Sequence, residues 1–450
     1  KTSKMKLRPN SPSHVVDPKK SKQTNLSKTT AKAVVRAINI HRCALIENST
    51  LVGNGKQQTS NSKESNKEGA GSTFGLFERS ELRLGNLLGS GGFSEVHEII
   101  AFDPKHTSCG EEYRPDQIDA RRFYQVDATK NGKPKYAIKH LKRETTENMR
   151  EFAMAAADLA VEARFLSHLD HENILKIRGW STTGVESYLN GEHDGYFLIL
   201  DRLHETLDKR IKGWSAERNT FHAWESFGVA PYNLEIENTN SQLVTCTRIA
   251  RQMASAIEYL HSKNIVFRDI KPDNVGFDEH GIVKLFDFGL SRELPQLAHN
   301  ANDVYQMSGR MGTIRYMAPE VALSKRYNQK VDTYSWAMVF WSCLALEKPY
   351  SNLSRTEHLD LCCKRRLRPS LAGLPQDIQM LLTRSWDQRI RTRLTMSEVC
   401  GYLKRIEIGL LEDLERKPIK CKKSIASRLF PSLVRRKTKK QANTLASKAA

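Results

Sequence analysis

The chain has 450 residues, 39% hydrophobic and 27% charged, with a formal net charge of +20. The longest apolar stretch, residues 336–346, falls short of 18 residues and is bounded by Asp332 and Lys348, so it predicts a buried helix and no helical membrane span. Eight scattered cysteines without metal-ligand spacing, and no visible signal peptide, imply reduced thiols and an intracellular chain, cytoplasmic and/or nuclear.

The basicity lies at the ends. Residues 1–80 hold 15 Lys/Arg against 5 Asp/Glu, residues 416–450 hold 12 against none, and the stretch between carries −2. A nucleic-acid-binding face on the folded part is therefore not expected. Residues 1–79 are rich in Lys, Ser, Thr, Asn and Gln. Such a segment buries too little apolar surface to offset its ordering entropy, which predicts a disordered basic tail. Only residues 31–51 are apolar enough for a short helix.

From Glu81 the pattern changes. Leu82, Leu84, Leu87 and Leu88 lead into Gly89-Ser90-Gly91-Gly92-Phe93-Ser94-Glu95-Val96 and then into apolar residues up to Phe102. This reads as strand, glycine loop, strand. Tyr136-Ala137-Ile138-Lys139-His140-Leu141 is a further strand, residues 151–169 are an Ala-rich helix, and residues 195–200 are a buried strand. Helical spacing dominates after about Arg210, as in residues 243–261 and 330–345. Three polar stretches, 103–135, 214–241 and 287–320, read as loop insertions, the first two disordered.

Chemistry concentrates in Phe267-Arg268-Asp269-Ile270-Lys271-Pro272-Asp273-Asn274, followed by Asp287-Phe288-Gly289. It offers a carboxylate that can take a hydroxyl proton, a cation for a phosphate, and an amide and second carboxylate for a hard metal ion, the groups that phosphoryl transfer needs. The glycine loop supplies a backbone that phosphates can approach closely. A dinucleotide fold would place a helix after such a loop, whereas strand-like residues follow here.

Together these segments resemble the protein kinases, Ser/Thr type, over roughly residues 81–410. The resemblance implies an α+β, two-lobed fold. An antiparallel-sheet N-lobe with one main helix would span 80–203, and a helical C-lobe 204–410, with insertions near 103–135 and 211–241 and basic tails over 1–79 and 411–450. It implies ATP and Mg²⁺ as cofactors and a protein bearing Ser or Thr as substrate. Leu88, Gly89, Ser90, Gly91, Gly92, Phe93, Ser94 and Val96 would cover ATP. Ala137 and Lys139 would line the site, and Glu162 would orient Lys139. Leu200, Asp201 and Leu203 would form the gatekeeper and hinge. Asp269 would be the catalytic base, Lys271 the charge neutraliser, and Asn274 and Asp287 the metal ligands. Residues 312–320 would bind peptide substrate, with Asp332 as an anchor. Arg393 would bridge to Glu320, with Arg391 as the competing candidate. Trp336, Trp341, residues 384–386 and residues 393–399 look most like the tyrosine-kinase-like branch.

Arg268 before the catalytic Asp implies a switch in which an upstream kinase phosphorylates the activation segment, at Ser308 first and Tyr305 second. Three positions depart from the family. Ser94 stands for a third Gly and Phe267 for His. Gly276 replaces the aliphatic floor under adenine, for which Val275 or Phe277 could compensate. These departures motivate an alternative, a pseudokinase acting as a nucleotide-binding scaffold. A small-molecule kinase is disfavoured by residues 312–320. The C-terminal clusters at 417–423 and 435–440 could serve nuclear import, a membrane surface or a nucleic-acid tether, and residues 424–434 could be a short amphipathic helix.

Overall fold

A computed structural model describes residues 74–104, 115–182, 184–190, 192–226, 232–294, 304, 305, 307 and 313–416. The N-terminal part is a six-stranded sheet of β1 (Gly75–Phe77), β2 (Leu82–Ser90), β3 (Ser94–Phe102), β4 (Tyr136–Leu141), β5 (Ile177–Ser181) and β6 (Phe197–Asp201), in the order β1-β5-β6-β4-β3-β2. Neighbours are antiparallel except β1 and β5, which run parallel. The expected antiparallel sheet thus carries one parallel edge, and it begins at Gly75, ahead of the expected boundary at 80.

Alternation along β6 sorts its side chains between two cores. Phe197 and Ile199 enter one cluster with Ile138 and Tyr136, while Leu198 and Leu200 enter the other. Both faces of the central strands are therefore covered, and all six residues of β4 are buried. The second cluster continues through α2 (Met149–His168) into the C-lobe. Asn148 caps α2, its side chain accepting from the backbone N–H of Arg150 and Glu151.

The sequence pattern places residues 103–135 in a loop. Instead, the segment folds in part as α1 (Pro115–Asp127), which packs on the outer face of the sheet. Gln117, Ala120, Arg121 and Tyr124 are buried at helical spacing. The Tyr124 ring meets those of Phe77, Phe102 and Tyr136 at 5.3–6.1 Å. Arg121 is paired with Glu81 while its Nη1 donates to the Leu76 carbonyl at 2.7 Å. Half of this inward face is polar, so a count of apolar residues misses the helix.

The C-terminal part is built from α3 (Leu207–Ser226), α4 (Tyr232–Ser262), α5 (Lys330–Ala345), α6 (Gln376–Ser385) and α7 (Met396–Arg416). The stretch 211–241, expected as a loop insertion, is mostly helix, and α4 begins at Tyr232, ahead of the expected start at 243. The helix expected from the apolar run at 336–346 is the C-terminal part of α5, which is buried nearly all round; its Trp336 indole N–H donates to the Ala250 carbonyl at 2.9 Å. The C-terminal part of the chain also holds a three-stranded sheet of β7 (Glu205–Thr206), β8 (Val275–Phe277) and β9 (Val283–Leu285), in the order β9-β8-β7. α7 runs past the expected boundary at 410. The tails, with the helices expected over 31–51 and 424–434, lie outside the described residues, as does Ser308.

Arg121 and Glu81 are both almost wholly buried, with side-chain exposures of 5% and 3%. Arg121→Ala removes the countercharge and should destabilise the protein by about 3–5 kcal/mol, the usual cost of breaking a buried pair. Urea unfolding checks this; a loss below about 1 kcal/mol would contradict the docking of α1.

Candidate active site

The glycine loop is the turn of the β2–β3 hairpin, where Gly89 pairs with Val96 and Ser90 with Glu95. The Gly91 N–H closes the turn on the Ser94 carbonyl at 2.8 Å. A Cβ added at Gly89 or Gly92 would meet nothing within 4 Å, and one at Gly91 would make only ordinary contact. None of the three has positive φ. Neither packing nor backbone conformation within the chain therefore requires glycine here. The backbone here is open to close approach by a ligand such as a polyphosphate. The Lys142 N–H and the Thr145 hydroxyl both donate to the Phe93 carbonyl, at 2.9 and 3.1 Å, tying the loop to the segment after β4.

Under the hairpin, Val96 pairs with Lys139, Lys139 with Leu198, and Ala137 with Leu200. Ala137 and Lys139 are two residues apart and share a face. Lys139 Nζ lies 2.6 Å from Glu162 Oε2 and 3.0 Å from Asp287 Oδ1. Burial would lower its pKa, but Asp287 and Glu162 outweigh burial and hold the ammonium above its ordinary value. Burial raises the Glu162 pKa, whereas Lys139 pulls that of Asp287 down. Asp287 sits in the left-handed region (φ 69°, ψ 67°), a strained conformation typical of functional sites. Its side chain remains 42% exposed, open to a cation.

The catalytic segment is held from beneath by Asp332, whose Oδ2 and Oδ1 accept from the Phe267 and Arg268 backbone N–H groups at 2.8 and 2.9 Å. His261 Nε2 is 3.0 Å from the same carboxylate. Asp269 Oδ2 accepts from Lys271 Nζ at 2.6 Å and from Asn274 Nδ2 at 2.9 Å; its Oδ1 accepts from the Thr313 N–H at 3.2 Å. With its amide nitrogen used this way, Asn274 offers Oδ1 to a hard cation. No group of three or more His, Cys, Asp or Glu forms a metal site among the described residues. Asn274 and Asp287 fit Mg²⁺, an ion commonly held by one or two protein oxygens together with substrate phosphates and water.

The departures are absorbed by packing. The Phe267 ring is fully buried, with its centroid 4.9 Å from that of Phe288 at an interplanar angle of 89°, an edge-to-face pair. At Gly276, the space of the missing side chain is met by residues from other segments. A Cβ there would lie 2.6 Å from Leu203 Cδ1 and 3.3 Å from Phe286 Cε1, so Leu203 fills the space. Leu203, expected from the sequence as part of the hinge, thus also contributes its side chain. Its N–H donates to no group among the described residues, whereas the Asp201 N–H is bonded to the Lys176 carbonyl at 3.1 Å. The Asp201 carboxylate is committed to Arg178 at 2.7 and 2.8 Å.

Arg393, and not Arg391, bridges to Glu320, at 2.6 and 3.1 Å. Its remaining donors reach the Lys330 and Asp387 carbonyls. Arg391 is exposed, and among the described residues only its carbonyl is engaged, by Lys330 Nζ at 3.5 Å. One residue went unremarked in the sequence: Asp158, one turn before Glu162 on α2. Burial and then the neighbouring Asp287 push its pKa up to about 6. A Cβ on Gly289 would come within 3.1 Å of Asp158 Cβ, so the glycine after Phe288 lets this segment lie against α2. The i, i+4 spacing of Asp158 and Glu162 was the available signal.

Comparison with known proteins agrees with this geometry. The protein kinase domain family matches residues 123–402, more than half of the chain, and the chain belongs to that family. The match starts beyond residues 89–96, so the glycine hairpin is identified by the pairing of β2 with β3. The serine/threonine-protein kinase VIK of Arabidopsis thaliana is 33% identical over 178 residues, 38% of this chain and 39% of that protein. A putative mitogen-activated protein kinase kinase kinase 7-like protein of Drosophila melanogaster is 29% identical over 263 residues, 56% of this chain and 57% of that protein. The high affinity nerve growth factor receptor of Rattus norvegicus is 27% identical over 272 residues, 60% of this chain and 30% of that protein. The alignments span well under two thirds of these relatives.

The Leu203–Gly276 fit makes a non-additive pair. Gly276→Ala alone should destabilise by about 1–3 kcal/mol through overpacking. Adding Leu203→Ala, which clears the space, should recover most of that loss relative to Leu203→Ala alone. Additive effects in thermal or urea unfolding would contradict the fit.

Proposed function

We propose that the chain is an active Ser/Thr protein kinase that moves the γ-phosphoryl group of ATP to a protein hydroxyl. The observation that carries this reading is the double contact of Lys139 with Glu162 and Asp287, 2.6 and 3.0 Å away. It links the ATP-facing sheet, the main N-lobe helix and the metal loop through one cation. ATP with Mg²⁺ would supply the transferable phosphoryl group and neutralise its charge, with Asn274 and Asp287 as the ligands of the ion.

The chain's own residues then have defined tasks. The backbone of residues 89–94 covers the phosphates. Lys139 holds their position. Asp269 accepts the proton of the attacking hydroxyl, and Lys271, 2.6 Å from Asp269 Oδ2, stabilises the moving negative charge. The Thr313 N–H bonded to Asp269 Oδ1 ties the start of the substrate-binding stretch to the base. The reading as a pseudokinase scaffold rested on Phe267, Ser94 and Gly276. Aromatic packing at Phe267 and the filling of Gly276 by Leu203 favour the enzyme, since both keep the apolar packing around the catalytic segment, although Phe267 lacks the hydrogen-bonding nitrogens of a His.

Regulation by phosphorylation of the activation segment belongs to the same reading. Arg268 has φ 71° and lies against Leu290, its Nε donating to the Leu290 carbonyl at 2.6 Å. Burial and the charge of Arg268 lower the pKa of Arg292. Two guanidinium groups near one another favour an added phosphate, for which Ser308 is the first candidate and Tyr305 the second.

ATP/Mg²⁺ turnover on a generic protein substrate tests the proposal. Asp269→Asn should reduce the rate by about 10²–10⁴-fold, the contribution of a positioned base, with phosphate recovered on Ser or Thr. Equal rates for the two proteins would contradict it, as would phosphate recovered on Tyr alone.

A further inference from the structure

A basic groove lies on the C-lobe beside the end of the activation segment. It occupies about 790 Å³ and is bordered by Val304, Pro319, Leu323 and Ile390, within the range of about 300–1,000 Å³ of a typical binding pocket. Three separate segments deliver its cations. Lys325 and Arg326 follow the short helix Pro319–Ala322, Lys364 ends the helical turn His358–Lys364 with Arg366 just after it, and Arg389 and Arg391 come from the loop before α7. All six are exposed. Among the described residues, the one carboxylate in the lining, Glu320, is already engaged by Arg393. Arg389 stands 3.8 Å from Asp387; the other five have no ion-pair partner among the described residues.

Six like charges converging on one concavity repel each other and focus a positive potential into it. Solvated surface lysines scatter; these come together from segments separated by dozens of residues. Pro319 and Glu320, at the end of the stretch expected above to bind peptide substrate, line the groove. A protein chain lying across that stretch can run on into the groove, setting acidic side chains against the cations and aliphatic stems against Leu323 and Ile390. A bilayer or a duplex cannot follow a single chain's path into a concavity of this size.

We propose that this groove docks an Asp/Glu-rich segment of the protein substrate, outside the residues around the phosphorylated hydroxyl. The docking raises the local concentration of substrate at Asp269 without taking part in the chemistry. This inference rests on the kinase reading for its purpose, but the groove's affinity for acidic chains is measurable without turnover.

The test uses the full chain and a fluorescein-labelled peptide of ten Glu residues, read by anisotropy. Arg326→Glu with Arg391→Glu should weaken binding at least about tenfold, and wild-type binding should fall as salt rises. The basic tails are the same in both proteins, so the difference reports the groove. With peptide substrates, the variant should leave kcat and KM unchanged on a short acid-free Ser peptide and raise KM about tenfold on the same peptide extended by the acidic run. Lys364→Glu with Arg366→Glu is the second variant, should the first lose its native circular dichroism. Equal peptide affinity in wild type and variants overturns the proposal. So does a variant that loses binding to duplex RNA or phosphatidylserine vesicles while retaining the acidic peptide. A wild type that binds the peptide through the groove yet phosphorylates nothing would refute the kinase reading and leave the groove standing.

Discussion

Placing Lys139 in a nearly closed environment between two carboxylates is the constraint around which the molecule is organised. A buried ammonium is costly unless it is paired, and here its two partners come from different elements, Glu162 on α2 and Asp287 on the loop after β9. Each contact therefore fixes a relation between elements. Lys139 to Glu162 sets α2 against the sheet, and Lys139 to Asp287 sets the metal loop under it. Gly289 then allows that loop to lie against α2 beside Asp158. Moving α2 outward would strand a buried charge, so the position of the helix and the readiness of the site are coupled.

Below this cluster, a second set of polar contacts fixes the catalytic segment. Asp332, fully buried on α5, holds the backbone N–H groups of residues 267 and 268. Glu320 and Arg393 brace the end of the stretch after Thr313 from within the core. The chemistry sits between these anchors, with Asp269 gathering donors from Lys271, Asn274 and Thr313. The substituted supporting positions, Phe267 and Gly276, lie where apolar packing can be redistributed, and Phe288 and Leu203 redistribute it. No charged member of the constellation has been replaced.

The residues with chemistry were legible in the sequence because their order and spacing are tightly constrained. The structure brings Lys139 to Glu162 and Asp287, Asp269 to Asn274, and Glu320 to Arg393. What escaped was structure carried by mixed or polar faces. α1 docks through Gln117 and Arg121 as much as through Ala120 and Tyr124, and a buried Arg paired with Glu81 across 40 residues leaves no periodic trace. The 211–241 stretch read as loop because its apolar spacing is weak, although helix continues to Ser226 and resumes at Tyr232. The role of Leu203 was hidden for a different reason. Which side chain fills the space over a glycine depends on a contact between β8 and the hinge, and no local pattern encodes it.

The central claim is that Asp287, poised by Lys139, helps to hold the ion that accompanies ATP. Isothermal titration of ATP with and without Mg²⁺, for wild type and Asp287→Asn, measures this directly. The account predicts that Mg²⁺ strengthens ATP binding to the wild type and has little effect on the variant. An equal response to Mg²⁺ in both proteins, or no binding of ATP to the wild type, would contradict it.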